Sequence, residues 1–235
     1  MKTRRTGFTL IEMMVVIGII GILAAALTGG YSYMVKSAQR AKAVEAVSNA
    51  RTALEALYIR KDGMWPTHIL RARTHEGGYH VMDENVAKVL AQNDLLNVDC
   101  KKPDEDQDPS DLGNYKLRGV DRCGIADPWG QDVLRRLGTT SSDGNALLKK
   151  EVSSGGRVED HLIYFAVDQD EDGFVTKEEG APVKKVRAKV ITWCAGADGG
   201  LGNCSSDKAG KVTVNGRVVS NGDNVYSWQR AQEER

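Results

Sequence analysis

GFTLIEMMVVIGIIGILAAAL, residues 7–27, decides the fold expected of this chain. The apolar run from Phe8 to Leu27 carries a single charge, Glu12. At helical rise its twenty residues span roughly 30 Å, the thickness of the hydrocarbon core of a bilayer. Basic residues precede the run and are expected to stay cytoplasmic, which places the rest of the chain across the membrane: Lys2, Arg4 and Arg5. The stretch therefore predicts a transmembrane helix that keeps one carboxylate near its start.

The helical pattern continues beyond the apolar run. In residues 38–61, apolar side chains recur at helical spacing: Val44, Val47, Leu54, Leu57 and Tyr58. We expect one helix over residues 8–61, transmembrane over about 8–33, with Gly29 and Gly30 as its weak point. A globular domain is expected over residues 62–235.

Composition limits the possible partners and the compartment. Lys and Arg total 32, as do Asp and Glu, so the net charge is zero and no nucleic-acid partner is implied. Beside a membrane signal, four cysteines favour two disulfides in an oxidising compartment, among Cys100, Cys123, Cys194 and Cys204, and their number alone does not fix the pairing. A bond between Cys194 and Cys204 would close a loop of about eleven residues and contribute roughly 2–3 kcal/mol, and one between Cys100 and Cys123 would hold the acidic segment between them. The alternative is four free thiols in a cytosolic protein.

The rest of the chain predicts a mixed domain. Residues 84–96 have a helical pattern, and residues 101–114 form an acidic loop. Residues 133–139, 161–167 and 186–193 are short, rich in β-branched or aromatic residues, and typical of strands. Residues 212–219 predict a hairpin, because Asn215-Gly216 suits a two-residue type I′ turn. We expect an antiparallel sheet packed on the long helix.

DQDEDGFVTKEE, residues 168–179, has the spacing of a calcium loop. Carboxylates occupy its positions 1, 3, 5 and 12, and Gly173 at position 6 permits a sharp turn. The predicted ligands are Asp168, Asp170, Asp172, Phe174, Thr176 and Glu179. A strand precedes the loop, and Gly180 and Pro182 prevent a long helix after it. The alternative is an acidic surface turn with fortuitous spacing.

Basic residues followed by G-F-T-L-I-E and an apolar run resemble the signal of type IV pilins and of the pseudopilins of type II secretion. The resemblance implies cleavage after Gly7 by a prepilin peptidase that also methylates the new N-terminus, Phe8. It places Glu12 at the family's assembly-glutamate position. A carboxylate in a transmembrane helix costs about 3 kcal/mol and needs a partner. In a filament of staggered helices, the new α-amine of one subunit can meet Glu12 of the next.

Three further stretches resemble the major pseudopilin of type II secretion. KDGMWPT, residues 61–67, matches its turn after the long helix, and DPWGQ, residues 127–131, matches a turn that opens its antiparallel sheet. Residues 193–228 resemble its C-terminal calcium loop. The ligands implied there are the side chains of Asp198, Asp223 and Asn224 and the carbonyls of Ala195 and Gly200. The alternative for this loop is a glycine-rich turn held by the disulfide alone.

These patterns predict an α+β fold: a long N-terminal helix, transmembrane in its first half, packed on a C-terminal antiparallel sheet domain with calcium-binding loops. The resemblance implies a type II secretion pseudopilus subunit that polymerises with itself and with other pseudopilins, on an inner-membrane assembly platform. We expect the precursor in the inner membrane, its C-terminal domain in the periplasm, and the filament in the cell envelope. The alternatives are a type IV pilin for adhesion, motility or DNA uptake, and a membrane-anchored calcium sensor that never polymerises.

An enzyme is not predicted. The four histidines, at 68, 75, 80 and 161, lack zinc-type spacing, and the first three are expected to be solvated. The sequence carries no nucleophile elbow, phosphate loop or Cys-His constellation.

Overall fold

The structure is a computed structural model, which describes residues 10–75, 79–95, 100–101, 116–117, 124–137, 144–200, 211–214, 217–220 and 223–228. The chain divides into two compact units, Met1–Gln39 and Arg40–Arg235. The helices are α1 Leu10–Arg60, α2 Thr67–Leu70, α3 Glu84–Gln92, α4 Pro128–Leu137, α5 Gly144–Leu148 and a 3₁₀ helix Val158–His161. The fold is α+β, as predicted.

The described residues also form ten short strands. They are β1 His80–Val81, β2 Cys100–Lys101, β3 Lys116–Leu117, β4 Tyr164–Val167, β5 Val175–Thr176, β6 Lys185–Val186, β7 Val190–Cys194, β8 Lys211–Val214, β9 Arg217–Ser220 and β10 Val225–Tyr226. The central sheet has the order β1-β4-β7-β10 and is antiparallel throughout. Two-stranded antiparallel pairs join β2 with β3, β5 with β6, and β8 with β9.

The long helix predicted over residues 8–61 is confirmed by α1 over the residues described. In the first unit its large apolar side chains are exposed, among them Leu10 at 78% and Ile22 at 73%. None of the helices in the described ranges combines the length and the apolar character that a membrane crossing requires. After Arg60 the chain turns at Asp62 and Gly63, which adopt left-handed backbone angles (φ 54° and 79°), so KDGMWPT forms the predicted turn.

In the second unit, the last part of α1 packs on the central sheet. Strand side chains alternate between two buried clusters, as the two-residue period of a strand requires. Phe165, Val167 and Val190 pack in the cluster that holds Leu54 and Leu57 of α1, while Tyr164 and Trp193 belong to the other. Thr192 Oγ1 of β7 also donates to the carbonyl of Val47, at 2.8 Å. This packing confirms the predicted sheet against the helix.

One predicted strand is wrong. Residues 133–139 were expected to form a strand, but residues through Leu137 belong to α4. Asp127 Oδ1 accepts hydrogen bonds from the backbone N–H groups of Trp129 and Gly130, so it caps the start of this helix. DPWGQ therefore begins a helix and does not open the sheet as a turn. The other strands are confirmed in part, as β4 and β7, and the helix predicted over 84–96 is α3.

The hairpin predicted over residues 212–219 is confirmed in its register. Val214 pairs with Arg217, which leaves two residues, 215 and 216, for the connection. Those two residues lie outside the described residues, so the type I′ turn remains a prediction. The acidic loop predicted over 101–114 also lies outside them, apart from Lys101 in β2.

Candidate functional site: two acidic loops, a buried Asp–His pair and the start of α1

The first acidic loop, residues 168–179, begins directly after β4, includes the short strand β5 and ends before β6, so it lies between strands of the domain as predicted. Asp168, Asp170 and Asp172 each offer a carboxylate oxygen, and these three oxygens lie within 4.8 Å of one another. Asp168 is fully buried, and its Oδ2 accepts from the Lys189 ammonium (2.7 Å) and from the backbone N–H of Gly173 (3.0 Å). The structure thus brings together three of the six predicted ligands.

The remaining predicted ligands close the same loop. Glu179 Oε2 accepts from the backbone N–H of Thr176 (2.8 Å) and from its hydroxyl (2.9 Å). Glu179 Oε1 accepts from the backbone N–H of Gln169, at the opposite end of the loop. Phe174 donates its N–H to Asp172 Oδ1, and the Lys185 ammonium stands 3.8 Å from the centroid of its ring.

The first loop is also tied to the turn after α1. Trp65 donates its indole N–H to the carbonyl of Asp168 at 3.0 Å, and its ring lies 4.7 Å from that of Tyr58 on α1. Neither this bond nor the Lys189–Asp168 pair carries a local sequence signal, because the partners are 103 and 21 residues apart.

The second acidic loop, made of residues 195–200 and of residues 223 and 224, lies where β7 ends and β10 begins. Cys194 pairs with Val225, which sets Ala195 opposite Asn224 just beyond the strands. The backbone N–H of Asp198 donates to Asp223 Oδ2 at 3.2 Å, and that of Gly200 to Asp198 Oδ1 at 2.9 Å. Burial, and then the like charge of Asp198, raise the pKa of the Asp223 carboxyl. The five residues implied by the resemblance therefore lie on two adjacent chain segments, with their two carboxylates near each other.

A buried Asp–His pair, which the sequence did not predict, lies beneath this second loop. His161 Nδ1 is 3.0 Å from Asp127 Oδ2, Nε2 is 2.7 Å from the carbonyl of Gly155, and both side chains are fully buried. Burial disfavours the charged imidazolium, but the hydrogen bond and charge of Asp127 outweigh it, so the pKa of His161 is raised. Burial also raises the pKa of Asp127. The sequence signal for Asp127 was Asp-Pro at a helix start; His161 had none.

Two of the other histidines are not solvated as predicted. His75 Nε2 lies 3.0 Å from Asp160 Oδ1, and His80 Nδ1 lies 3.1 Å from the carbonyl of Ala72 while its ring stacks on Phe165. His68 is exposed, as expected. All of these contacts stabilise the fold, and none places a histidine with the acidic loops' carboxylate ligands.

At the other end of the chain, Glu12 occupies the first turn of α1 and is exposed among exposed apolar side chains. Gly7 and Phe8, the predicted cleavage and methylation site, lie outside the described residues.

Comparison with known proteins agrees with this arrangement of the N-terminus. Residues 2–28 match the prokaryotic N-terminal methylation motif. The type IV major pilin protein PilE1 of Neisseria gonorrhoeae is 31% identical over 98 residues, 42% of this chain and 54% of the relative. A fimbrial protein of Neisseria meningitidis is 38% identical over 68 residues, which are 29% of this chain and 39% of the relative. The type IV major fimbrial protein FimA of Dichelobacter nodosus is 42% identical over 55 residues, which are 23% of this chain and 35% of the relative. The chain spans about half the length, or less, of these relatives. No solved structure shows a significant match.

The N-terminal part of the chain carries the methylation motif and is similar to type IV pilins. These relatives are named as pilus and fimbrial proteins, in agreement with the prediction that the chain is not an enzyme.

The two disulfides predicted from the sequence remain a prediction. Cys194 is a buried free thiol in the structure, and burial raises its pKa to about 12, which keeps it protonated. Its predicted partner Cys204, the side chain of Cys100, and Cys123 all lie outside the described residues.

Proposed function

We propose that the chain is a membrane-anchored subunit of an envelope filament, which polymerises with copies of itself through the N-terminal part of α1. The observation that carries the proposal is the methylation motif at residues 2–28, which leads directly into a helix of exposed apolar side chains. Such an apolar surface requires lipid or other helices around it. The relatives named as major pilins and fimbrial proteins support the same function.

Glu12 supplies the register of the proposed filament. A carboxylate surrounded by apolar material is costly unless a cation meets it. Cleavage after Gly7 by a prepilin peptidase would create an α-amine at Phe8, four residues before Glu12. Pairing of that amine with Glu12 of a neighbouring subunit would form only in the polymer, and so would favour assembly in one stagger.

Among filaments of pilins and pseudopilins, we propose that the chain belongs in the pseudopilus of a type II secretion system. Such a pseudopilus supports protein export across the outer membrane. Its precursor would be held in the inner membrane with the C-terminal domain in the periplasm, and would assemble with other pseudopilins on the inner-membrane platform. The hydrogen bond from Asp198 to Asp223 supports this branch, because it follows the resemblance to the major pseudopilin's C-terminal loop.

A surface type IV pilus is the second candidate. The names of the relatives favour it, since those with significant identity are major pilins and fimbrial proteins.

The second acidic loop fits calcium in its donor set. Asp198 and Asp223 would supply carboxylates, Asn224 an amide oxygen, and Ala195 and Gly200 carbonyls, all hard oxygen ligands of the kind calcium prefers. Asp223 Oδ1 is buried without a hydrogen-bond partner, which leaves an acceptor for such an ion. Bound calcium would neutralise the repulsion between the two carboxylates and hold β10 to the end of β7.

Substitution of Glu12 tests the filament proposal. Glu12→Val makes the helix more apolar, so we expect the protein to enter the membrane and be cleaved but to form few or no filaments by electron microscopy of sheared cells. Met14→Val, an apolar exchange half a turn away, is the matched control and should assemble normally. Normal filaments from Glu12→Val would contradict the role of the carboxylate. An absence of filaments from the unaltered chain, with its partner proteins present, would favour the calcium sensor.

A further inference from the structure

The first acidic loop holds more negative charge in one place than its own contacts neutralise. The three carboxylate oxygens of Asp168, Asp170 and Asp172 lie within 4.8 Å of one another. Two cations face them: Lys189 at 2.7 Å from Asp168, and Lys185 at 3.5 Å from Asp172. No ion pair of Asp170 occurs among the described residues, so the cluster keeps a net negative charge.

A buried oxygen lies within this cluster without a partner. The Asp168 side chain is fully buried, and both of its cation and N–H contacts fall on Oδ2. Its Oδ1 is buried and accepts no hydrogen bond. Buried polar atoms are nearly always satisfied in folded proteins, and a charged oxygen is the costliest to leave unsatisfied. A cation that reaches Oδ1 would satisfy this oxygen.

The Glu179 carboxylate links the two ends of the same loop. Glu179 spans the loop because one oxygen is held by Gln169 at its start and the other by Thr176 near its end. Asp170 and Asp172 are exposed, so an ion has access from solvent. The β5–β6 pairing of Val175 with Val186 holds the far end of the loop in place.

We propose that the loop Asp168–Glu179 binds a calcium ion, and that the Lys189 ammonium neutralises Asp168 when the ion is absent. The ion is bound by Oδ1 of Asp168, carboxylates of Asp170 and Asp172, the carbonyl of Phe174, and the Glu179 carboxylate once it releases its N–H donors. Lys189 opposes the ion by charge, and its side chain is 41% exposed, so it can withdraw into water. Calcium is favoured over magnesium because it accepts many oxygens in a flexible shell. The site does not depend on the proposed filament function.

Titration calorimetry of the full chain in detergent, stripped of metal and titrated with calcium chloride, tests the site. We expect Asp170→Asn/Asp172→Asn to lose one binding event, since both positions are exposed and their exchange leaves the fold intact by circular dichroism. Glu171→Gln is the matched control: it removes a charge from the same loop at a position that is not a ligand, and should bind as the unaltered chain does. Asp198→Asn/Asp223→Asn should keep this event, which separates it from any binding by the second loop.

Lys189 provides the sharper test, because a merely structural lysine would not affect calcium binding. Lys189→Gln should bind calcium roughly fivefold more tightly, the change expected when one partly exposed charge stops competing. Lys184→Gln changes an exposed lysine just before β6. It should leave the calcium affinity unchanged apart from a small effect of net charge. Heats that are equal in the unaltered chain and in Asp170→Asn/Asp172→Asn would overturn the site and leave an acidic turn neutralised by lysines. An affinity unchanged by Lys189→Gln would overturn the competition.

Discussion

At the scale of single residues, His161 shows how one buried side chain responds to its acceptors. Its two ring nitrogens face a carboxylate and a carbonyl. A neutral imidazole carries only one N–H and can donate to only one of these two acceptors. The buried pair of His161 and Asp127 therefore holds one proton more than a neutral imidazole beside a carboxylate would. The raised pKa of each partner agrees with this geometry. The pair titrates as a unit, and its proton belongs to the folded state.

This proton predicts how stability depends on pH. A histidine with a higher pKa in the folded than in the unfolded chain stabilises the fold below the unfolded pKa, and that stabilisation is lost as pH rises through the folded pKa. We expect the free energy of unfolding to fall as pH rises above 6.5, the ordinary pKa of histidine, with a slope of at most about 1.4 kcal/mol per pH unit. Urea unfolding on either side of neutral pH measures it.

The matched variants for this measurement are His161→Gln and His68→Gln. The first should lose the slope and be less stable at every pH, because Asp127 is left buried beside a poorer donor. The second changes an exposed histidine and should keep the slope. A slope that survives in His161→Gln would assign the proton to another group.

At the scale of elements, α4 shows why the DPWG motif has a glycine. A Cβ built at Gly130 would lie 2.8 Å from the Cβ of His161 and 3.1 Å from the Cβ of Ala126. The helix therefore approaches the 3₁₀ helix too closely for any side chain at this position. The motif combines a cap at Asp127 with a contact surface at Gly130, and both serve the packing of α4 against the segment that carries His161.

Gly130→Ala should therefore be destabilising in spite of its helical context. Alanine gains about 1 kcal/mol in helix preference over glycine. The close contacts with two β-carbons should cost more, since overpacking typically costs about 1–3 kcal/mol and neither atom can move without its backbone. We expect a lower midpoint of thermal unfolding. Arg136→Ala, at an exposed position of the same helix, should change stability by less than about 0.5 kcal/mol. A more stable Gly130→Ala would show that α4 can shift away from the 3₁₀ helix.

Local sequence patterns predicted the helices and strands whose residue period and boundaries can be recognised from adjacent residues. The spacing of Val47, Leu54 and Leu57 indicated α1, and the β-branched and aromatic content of residues 161–167 indicated β4. The strand prediction for residues 133–139 was wrong because a short stretch with apolar residues suits a helix as well as a strand. The Asp127-Pro128 pair was also not recognised as a helix start.

The candidate site was predictable to the same extent. Its ligand spacing in residues 168–179 is local, and the structure brings the three aspartates together. The contacts around it are not local. Lys189 and Trp65 reach Asp168, and Asp127 reaches His161, only when the chain has folded. No sequence window contains both members of these contacts, so only the folded chain reveals them.

At the scale of the whole molecule, the chain combines an exposed apolar helix, Leu10 onward, with a domain that encloses its own core. The domain buries both faces of its sheet: α3 packs in one cluster, α4 and α5 pack in the other, and α1 contributes side chains to both. It therefore leaves the first part of α1 as the apolar surface that requires other partners. In the proposed filament, such a subunit would gain by polymerisation, because burial of the helix and pairing of Glu12 with a neighbouring α-amine would both occur there.

Mass spectrometry of the N-terminus of the filament protein tests this central claim most directly. The account predicts a chain that begins at a methylated Phe8, because cleavage after Gly7 both frees the amine that meets Glu12 and removes the basic residues before it. Gly7→Val should leave the uncleaved precursor in the membrane, whereas Thr6→Val, one residue earlier, should be processed normally. A mature protein that begins elsewhere, or an unmethylated Phe8, would contradict the account.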